Sequence, residues 1–204
     1  MSTTRAPKLL VIAGSGRQGS LNRQLADLAG ARARALGAQT VDVDLAALDL
    51  PVYSDDWSAA HGGAKPAGAL KLRELFAQAD GLLLACPEYN ALPTPLFINA
   101  FDWLSTVPAA EGLPGGGATT AGKPVGLLAA SPGALGGIRA LPIVRTFLST
   151  NFAMVVVPEQ LGLPHADQQL QAGATALQSA QLDAVLDKVV ASVVKQAQWR
   201  LAAG

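Results

Sequence analysis

Short runs of consecutive apolar residues alternate along the chain with stretches whose apolar positions recur every three or four residues. Residues 9–13, 81–86 and 124–130 are continuous apolar runs, the pattern of strands covered on both faces. Residues 40–45 alternate instead, with Val41 and Val43 between Asp42 and Asp44, which predicts a strand near a sheet edge. Residues 153–157 supply a fifth strand. Between these runs, residues 20–36 carry Leu21, Leu25, Leu28 and Leu36 near one helical face, and Gly37 follows as a C-cap residue. Residues 66–79 and 95–105 each start with a proline, a residue favoured in a first helical turn. A helix over 136–150 is expected to be interrupted or tightened near Pro142. Leu182, Val185, Leu186, Val189, Val190, Val193 and Val194 keep helical spacing and predict a long C-terminal helix. Residues 49–65 and 87–94 read as loops, and 107–122, rich in Gly, Pro, Ala and Thr, as a flexible insertion.

Buried strands alternating with helices predict an α/β domain built on a parallel sheet. No linker or repeat divides the chain, so residues 1–204 are read as a single domain. Half of the 204 residues are hydrophobic and 15% are charged, which excludes a mainly disordered chain. Fifteen basic and fifteen acidic residues balance, which argues against nucleic acid or an anionic membrane as the partner. One cysteine and two histidines cannot form a disulfide or a Cys/His zinc site. The polar start and the lack of a long apolar stretch predict neither a secretory leader nor a membrane span. A cytoplasmic location is expected.

In such sheets ligands bind outside the carboxyl ends of the strands, and three unusual segments fall there. The first is Gly14-Ser15-Gly16-Arg17-Gln18-Gly19-Ser20-Leu21-Asn22. Its glycines, its hydroxyl and amide side chains, its Arg and the helix start behind it suit a phosphate. The glycines also fit a dinucleotide fingerprint, with Asp42 or Asp44 at the distance of a ribose-binding acid. The crowd of side-chain donors better matches a phosphate monoester. A Walker A loop is excluded, because Ser20 follows Gly19 with no Lys between. A plain turn capped by Ser20 is the alternative. The second segment, Cys86-Pro87-Glu88-Tyr89-Asn90-Ala91-Leu92-Pro93, is stiffened by prolines and can offer backbone groups to a flat heterocycle. The third, Ser131-Pro132-Gly133-Ala134-Leu135-Gly136-Gly137, again suits a backbone held against a ligand. Cys86 reads as a packed hydrophobe rather than a redox thiol, and His61 and His165 as surface histidines.

Together these segments resemble the NADPH-dependent FMN reductase family of the flavodoxin-like fold, a family that includes quinone, chromate and azo-dye reductases. The resemblance rests on Gly14, Ser15, Arg17, Ser20 and Asn22 in a GSxRxxSxN loop, on Pro87-Glu88-Tyr89-Asn90, and on Asn99, Ala100, Asp102 and Trp103. Gly122-Lys123-Pro124 and Ser131-Pro132-Gly133 complete it, and it runs from about residue 8 to residue 159. It implies a three-layer sandwich with a five-stranded parallel sheet in the order 2-1-3-4-5. It also implies FMN as cofactor and NADPH or NADH as hydride donor. The FMN phosphate falls to Ser15, Arg17, Ser20, Leu21 and Asn22, and the isoalloxazine to Pro87, Glu88, Tyr89 and Asn90. Ser131 and Gly133 close over the ring. Hydride transfer itself needs no side-chain acid or base, so no catalytic residue is assigned.

The implied activity is an NAD(P)H oxidoreductase passing hydride through FMN to a quinone, flavin, chromate or azo acceptor. Two other readings stand beside it: a flavodoxin-type electron carrier, and a Rossmann NAD(P)-binding protein without flavin. The family associates, so a homodimer or homotetramer is expected, with Trp103, Phe101 and the stretch around Leu141 as contact material. The insertion at 107–122 is longer than the family pattern and bears on the shape of the substrate mouth. Arg139 has three open roles: NADPH phosphates, a neighbouring subunit, or solvent.

Overall fold

The computed structural model describes residues 5–171 and 175–203. The apolar runs form the inner strands of a parallel sheet: β1 (Lys8–Ala13), β3 (Gly81–Ala85) and β6 (Pro124–Ala130). The alternating segment is β2 (Gln39–Asp44), on one edge, and β7 (Val155–Leu163) is the other edge. Two short strands, β4 (Glu88–Tyr89) and β5 (Leu92–Pro93), form a separate hairpin. The sheet order β2-β1-β3-β6-β7 is the expected 2-1-3-4-5 once that hairpin is set aside. The order reverses between β1 and β3, where Val11 pairs with Asp42 on one side and Leu83 on the other.

Helices cover both faces. Helix α1 (Leu21–Ala35) and the long α7 (Ala180–Ala203) pack on one face, where Leu25, Ala29, Val190 and Val193 meet Val11 and Leu83. On the other face α3 (Ala67–Gln78), α4 (Pro95–Thr106) and α5 (Leu141–Asn151) bring Leu72, Phe76, Phe97, Phe101 and Leu148 against Leu10, Ile12, Leu82 and Leu84. This two-faced burial explains why the inner strands are continuously apolar. No described helix is long and apolar enough to cross a membrane.

Three local expectations of element boundaries change. The loop at 49–65 contains a short helix, α2 (Asp55–Ala60), capped by the Ser54 hydroxyl, which accepts from the Asp56 amide at 3.1 Å. Strand β7 starts two residues later than expected and runs six further, because an irregular register after Val125 lets it re-pair beyond Pro158. Arg145 donates to Val156 O and Val157 O at that irregularity. Helix α5 starts at Leu141 with Pro142 in its first turn, where a missing N–H costs nothing; residues 136–140 are turns.

The insertion is packed rather than flexible. Gly116 lies so close to α4 that a Cβ there would sit 1.9 Å from Leu104 O. The nearly fully buried Arg73 donates to Pro108 O at 3.0 Å, and Thr120 Oγ1 donates to Phe152 O at 2.8 Å. Since it joins the end of α4 to the start of β6, it sits at the amino ends of the strands. It is therefore removed from the substrate mouth. Trp103, Phe101 and Leu141 are fully buried and cannot themselves be contact material for a second subunit, whereas Ile138 and Ile143 in the stretch around Leu141 are exposed. Trp103 packs edge-on to Tyr53 and Trp57 and donates from Nε1 to Pro51 O at 2.7 Å.

Candidate functional site

At the carboxyl ends of β1, β3 and β6 the three loops enclose a cavity of about 210 Å³. Its walls include Ser15, Arg17, Ser20, Leu21 and Asn22 from the first loop, Pro87, Glu88 and Tyr89 from the second, and Ser131 from the third. Nine of the eleven residues singled out from the sequence thus meet at one place. Asn90 and Gly133 do not line it, whereas Ala130 and Pro132 do.

The first loop turns into α1 through Ser20, whose hydroxyl accepts from the Arg23 amide at 3.3 Å as N-cap. The amides of Leu21 and Asn22 in the first turn have no helical acceptor, so they face the loop as donors. Arg17 is exposed and makes no ion pair among the described residues. Ser15 Oγ accepts from the Arg17 amide at 3.3 Å, which curls the loop back on itself. Asn22 differs from expectation. Its buried side chain donates from Nδ2 to Ala130 O at 2.8 Å and accepts at Oδ1 from Ala130 N at 2.9 Å. Both ends of the amide are occupied, so this side chain fastens the first loop to the third and leaves only its backbone N–H for a ligand.

The second loop is the β4–β5 hairpin. Asn90 and Ala91 occupy its tip with φ of 54° and 67°. Two successive positive φ values define the turn whose twist suits a two-residue hairpin. Asn90 tolerates that conformation, so its contribution is to the turn. Below the hairpin, Thr94 caps α4, accepting from the Phe97 amide at 3.3 Å, and donates from Oγ1 to Gly14 O at 2.6 Å. Thr94 is the tie between the first and second loops. Its sequence signal was the Thr-Pro pair at the start of a helix, which marks a cap but not its distant partner.

Glu88 joins the second loop to the third. Its Oε1 accepts from Arg139 Nε at 2.7 Å and from Arg139 Nη2, and its Oε2 accepts from the amides of Arg139 at 2.9 Å and Ala140 at 3.3 Å. Burial pushes the Glu88 carboxyl up, but the Arg139 guanidinium and the two amides outweigh it and hold it below the usual range. This answers the question left by Arg139: its guanidinium serves Glu88. In the third loop, Gly136 is demanded by space as well as by its φ of 61°, for a Cβ would lie 2.6 Å from Leu163 C. Ser131 Oγ accepts from the Gly133 amide at 3.1 Å, so Gly133 shapes the loop rather than the cavity wall.

The donor set fits a phosphate monoester such as that of FMN. An unpaired guanidinium, two hydroxyls and first-turn amides converge, and the one carboxylate in the wall is neutralised by Arg139. A larger, mainly apolar hollow of about 750 Å³ runs along α1 beside Leu170, Gln171, Thr175 and Ala176. It lies away from the strand ends and lacks that convergence of donors. Cys86 is fully buried and its thiol is pushed up to about 12 by burial, as a packed hydrophobe should be. Among the described residues no group of His, Cys, Asp or Glu could hold a metal.

Residues 7–168 match the family model described as NADPH-dependent FMN reductase, so the chain belongs to that family of FMN- and NAD(P)H-dependent oxidoreductases. It is 30% identical over 168 residues to a 2-hydroxy-1,4-benzoquinone reductase of a Burkholderia species, covering 82% of this chain and 84% of that one. It is 33% identical over 156 residues to a quinone reductase of Escherichia coli K12, covering 76% and 77%. Among solved structures, the flavoenzyme NAD(P)H:(acceptor) oxidoreductase FerB of Paracoccus denitrificans superposes with a TM-score of 0.73 at 24% identity, over 95% of this chain and 98% of that one. That likeness establishes the flavodoxin-like fold. Its strand order differs from the 3-2-1-4-5-6 order of a Rossmann domain, which removes that reading.

Proposed function

We propose that the three-loop cavity is the FMN site of a quinone-reducing enzyme. The observation that carries this is the meeting of Ser15, Arg17, Ser20, Glu88, Tyr89 and Ser131 around one cavity at the β1/β3 switch point. When bound, FMN accepts hydride from NAD(P)H and passes reducing equivalents to an acceptor. The chain's residues supply binding and orientation. Arg17, the Ser15 and Ser20 hydroxyls and the first-turn amides of α1 hold the phosphate. The backbone of Pro87–Asn90 and the Ser131 loop hold the ring edge, and Glu88 braces the hairpin from outside the ring.

The relatives named quinone reductase support a quinone as acceptor, and chromate, azo dyes and free flavin are further candidates. The whole chain, 1–204, acts as one domain. A single buried cysteine suits a reducing cytoplasm. A homodimer or homotetramer is supported by the exposed Leu92, Leu135 and Ile138 on the second and third loops, and light scattering should give a mass above 20.8 kDa. The site reading is tested by fluorescence titration of Arg17→Ala. Loss of a charge-assisted contact to the dianion should weaken FMN by about 10- to 150-fold. Riboflavin, which lacks the phosphate, should bind nearly as before. Equal losses for both ligands would reject the phosphate assignment.

A further inference from the structure

NADPH differs from NADH by one group, a phosphate dianion on the adenine ribose, and proteins that select NADPH meet that group with a cationic side chain. The cations this chain can offer are known in full, because all fifteen Lys and Arg residues fall within the described residues. All but two of them have a carboxylate, a carbonyl, a side-chain hydroxyl or amide, or an aromatic ring as partner. The two are Arg17 and Lys188. Lys188 sits on α7 beside Asp187, whose carboxylate accepts at 2.7 Å from Arg32 in the last turn of α1. That turn lies about 15 Å along the helix from the first turn, which borders the cavity. Lys188 is therefore remote from the strand ends.

Arg17 is then the one unpaired cation at the cavity. Its cationic neighbours are engaged: Arg23 donates to Val43 O at 2.8 Å and faces Asp27, and Arg139 holds the Glu88 carboxylate. The neighbouring strand end adds charge of the opposite sign. Asp44 pairs in register with Ala13, the last residue before the first loop. It is exposed, and its carboxylate accepts from the Ala46 amide at 2.9 Å without an ion pair among the described residues.

We propose that the donor's 2′-phosphate goes unread, so that NADH serves this protein as well as NADPH does. The proposal rests on the reading that Arg17 is engaged by the FMN phosphate, which leaves no unpaired cation at the cavity for a second phosphate group. A second copy of the chain in a homo-oligomer brings the same cations in the same pairings, so assembly does not supply one. The donor is recognised by what the two nucleotides share.

The test compares NADH with NADPH in anaerobic stopped-flow bleaching of the FMN-loaded full chain, and NAD⁺ with NADP⁺ in calorimetric binding to it. An ion pair to the 2′-phosphate would favour the phosphorylated nucleotide by about 10- to 150-fold. Without one, NADPH and NADP⁺ should be favoured by no more than about fivefold, the reach of an exposed contact. A larger preference for the phosphorylated nucleotides would overturn the proposal. Arg17→Ala and Arg139→Ala, each loaded with FMN, should change bleaching by the two donors by the same factor. A variant that slows bleaching by NADPH alone would make that guanidinium a 2′-phosphate ligand and would also overturn it. A flavin-loaded protein that neither nucleotide bleaches would reject the proposed function, and this inference with it.

Discussion

The side chain of Asn22, in the first turn of α1, forms a closed pair of hydrogen bonds with the backbone of Ala130 at the end of β6, at 2.8 and 2.9 Å. Sequence places these residues 108 positions apart, yet this one amide sets the spacing between the first loop and the loop that follows β6. Asn22→Ala would leave a buried N–H and C=O without partners. The expected cost is about 2–3 kcal/mol of stability, together with weaker binding of both FMN and riboflavin. Urea unfolding and flavin titration would check this. A phosphate contact, by contrast, would lower FMN affinity alone and leave stability intact.

Asn90 acts through its backbone angle. With φ of 54° at the hairpin tip, the position tolerates glycine as well as asparagine. Asn90→Gly should therefore keep flavin affinity near wild type. Asn90→Val, β-branched and averse to that region, should cost about 1–2 kcal/mol and loosen the flavin. A glycine variant that loses flavin while keeping its fold would show that the amide reaches the ligand after all.

Lys123 gives a pH signature remote from the site. Burial lowers its ammonium to about 8, the charge of Arg200 lowers it too, and Asp80 offsets part of this. The unfolded chain keeps the usual value of about 10.4. Between these values the unfolded chain binds a proton that the folded chain has lost, so this residue makes stability rise with pH across the window from about 8 to 10.5. Below about 8 the charged form is buried at full cost. Lys123→Met should remove the rise. Its stability relative to wild type should fall on going from pH 7 to pH 10, by an amount on the order of 2 kcal/mol. Parallel unfolding curves for the two proteins would contradict this origin.

Much of this architecture was legible because burial on both faces forces continuous apolar strands, and packing on a sheet forces helical spacing such as that of Leu186 to Val194. The first loop stood out in the sequence because Ser15, Arg17 and Ser20 exceed what a helix cap needs, and all three line the cavity. What stayed hidden depends on contacts between distant segments. Asn22 was visible as a polar residue at a helix start, but only Ala130 decides that its side chain is a fastener. Thr94 was hidden in the same way by Gly14, and Glu88 by Arg139. The insertion looked flexible from its Gly and Pro content, because no local pattern reveals that Arg73 and Leu104 pack against it. The β7 register broke the strand pattern at Pro158, and only pairing with β6 extends it to Leu163.

The proposed function carries electrons from NAD(P)H to a quinone through FMN bound among the three loops. Its most direct test is anaerobic mixing of the FMN-loaded protein with NADPH or NADH, followed by addition of a benzoquinone, with the flavin absorbance recorded throughout. The expected result is bleaching by the nicotinamide and return of the oxidised spectrum on adding the quinone, with both phases lost in a protein that cannot hold FMN. A flavin-loaded protein that neither nicotinamide can bleach would contradict it and leave an electron carrier instead.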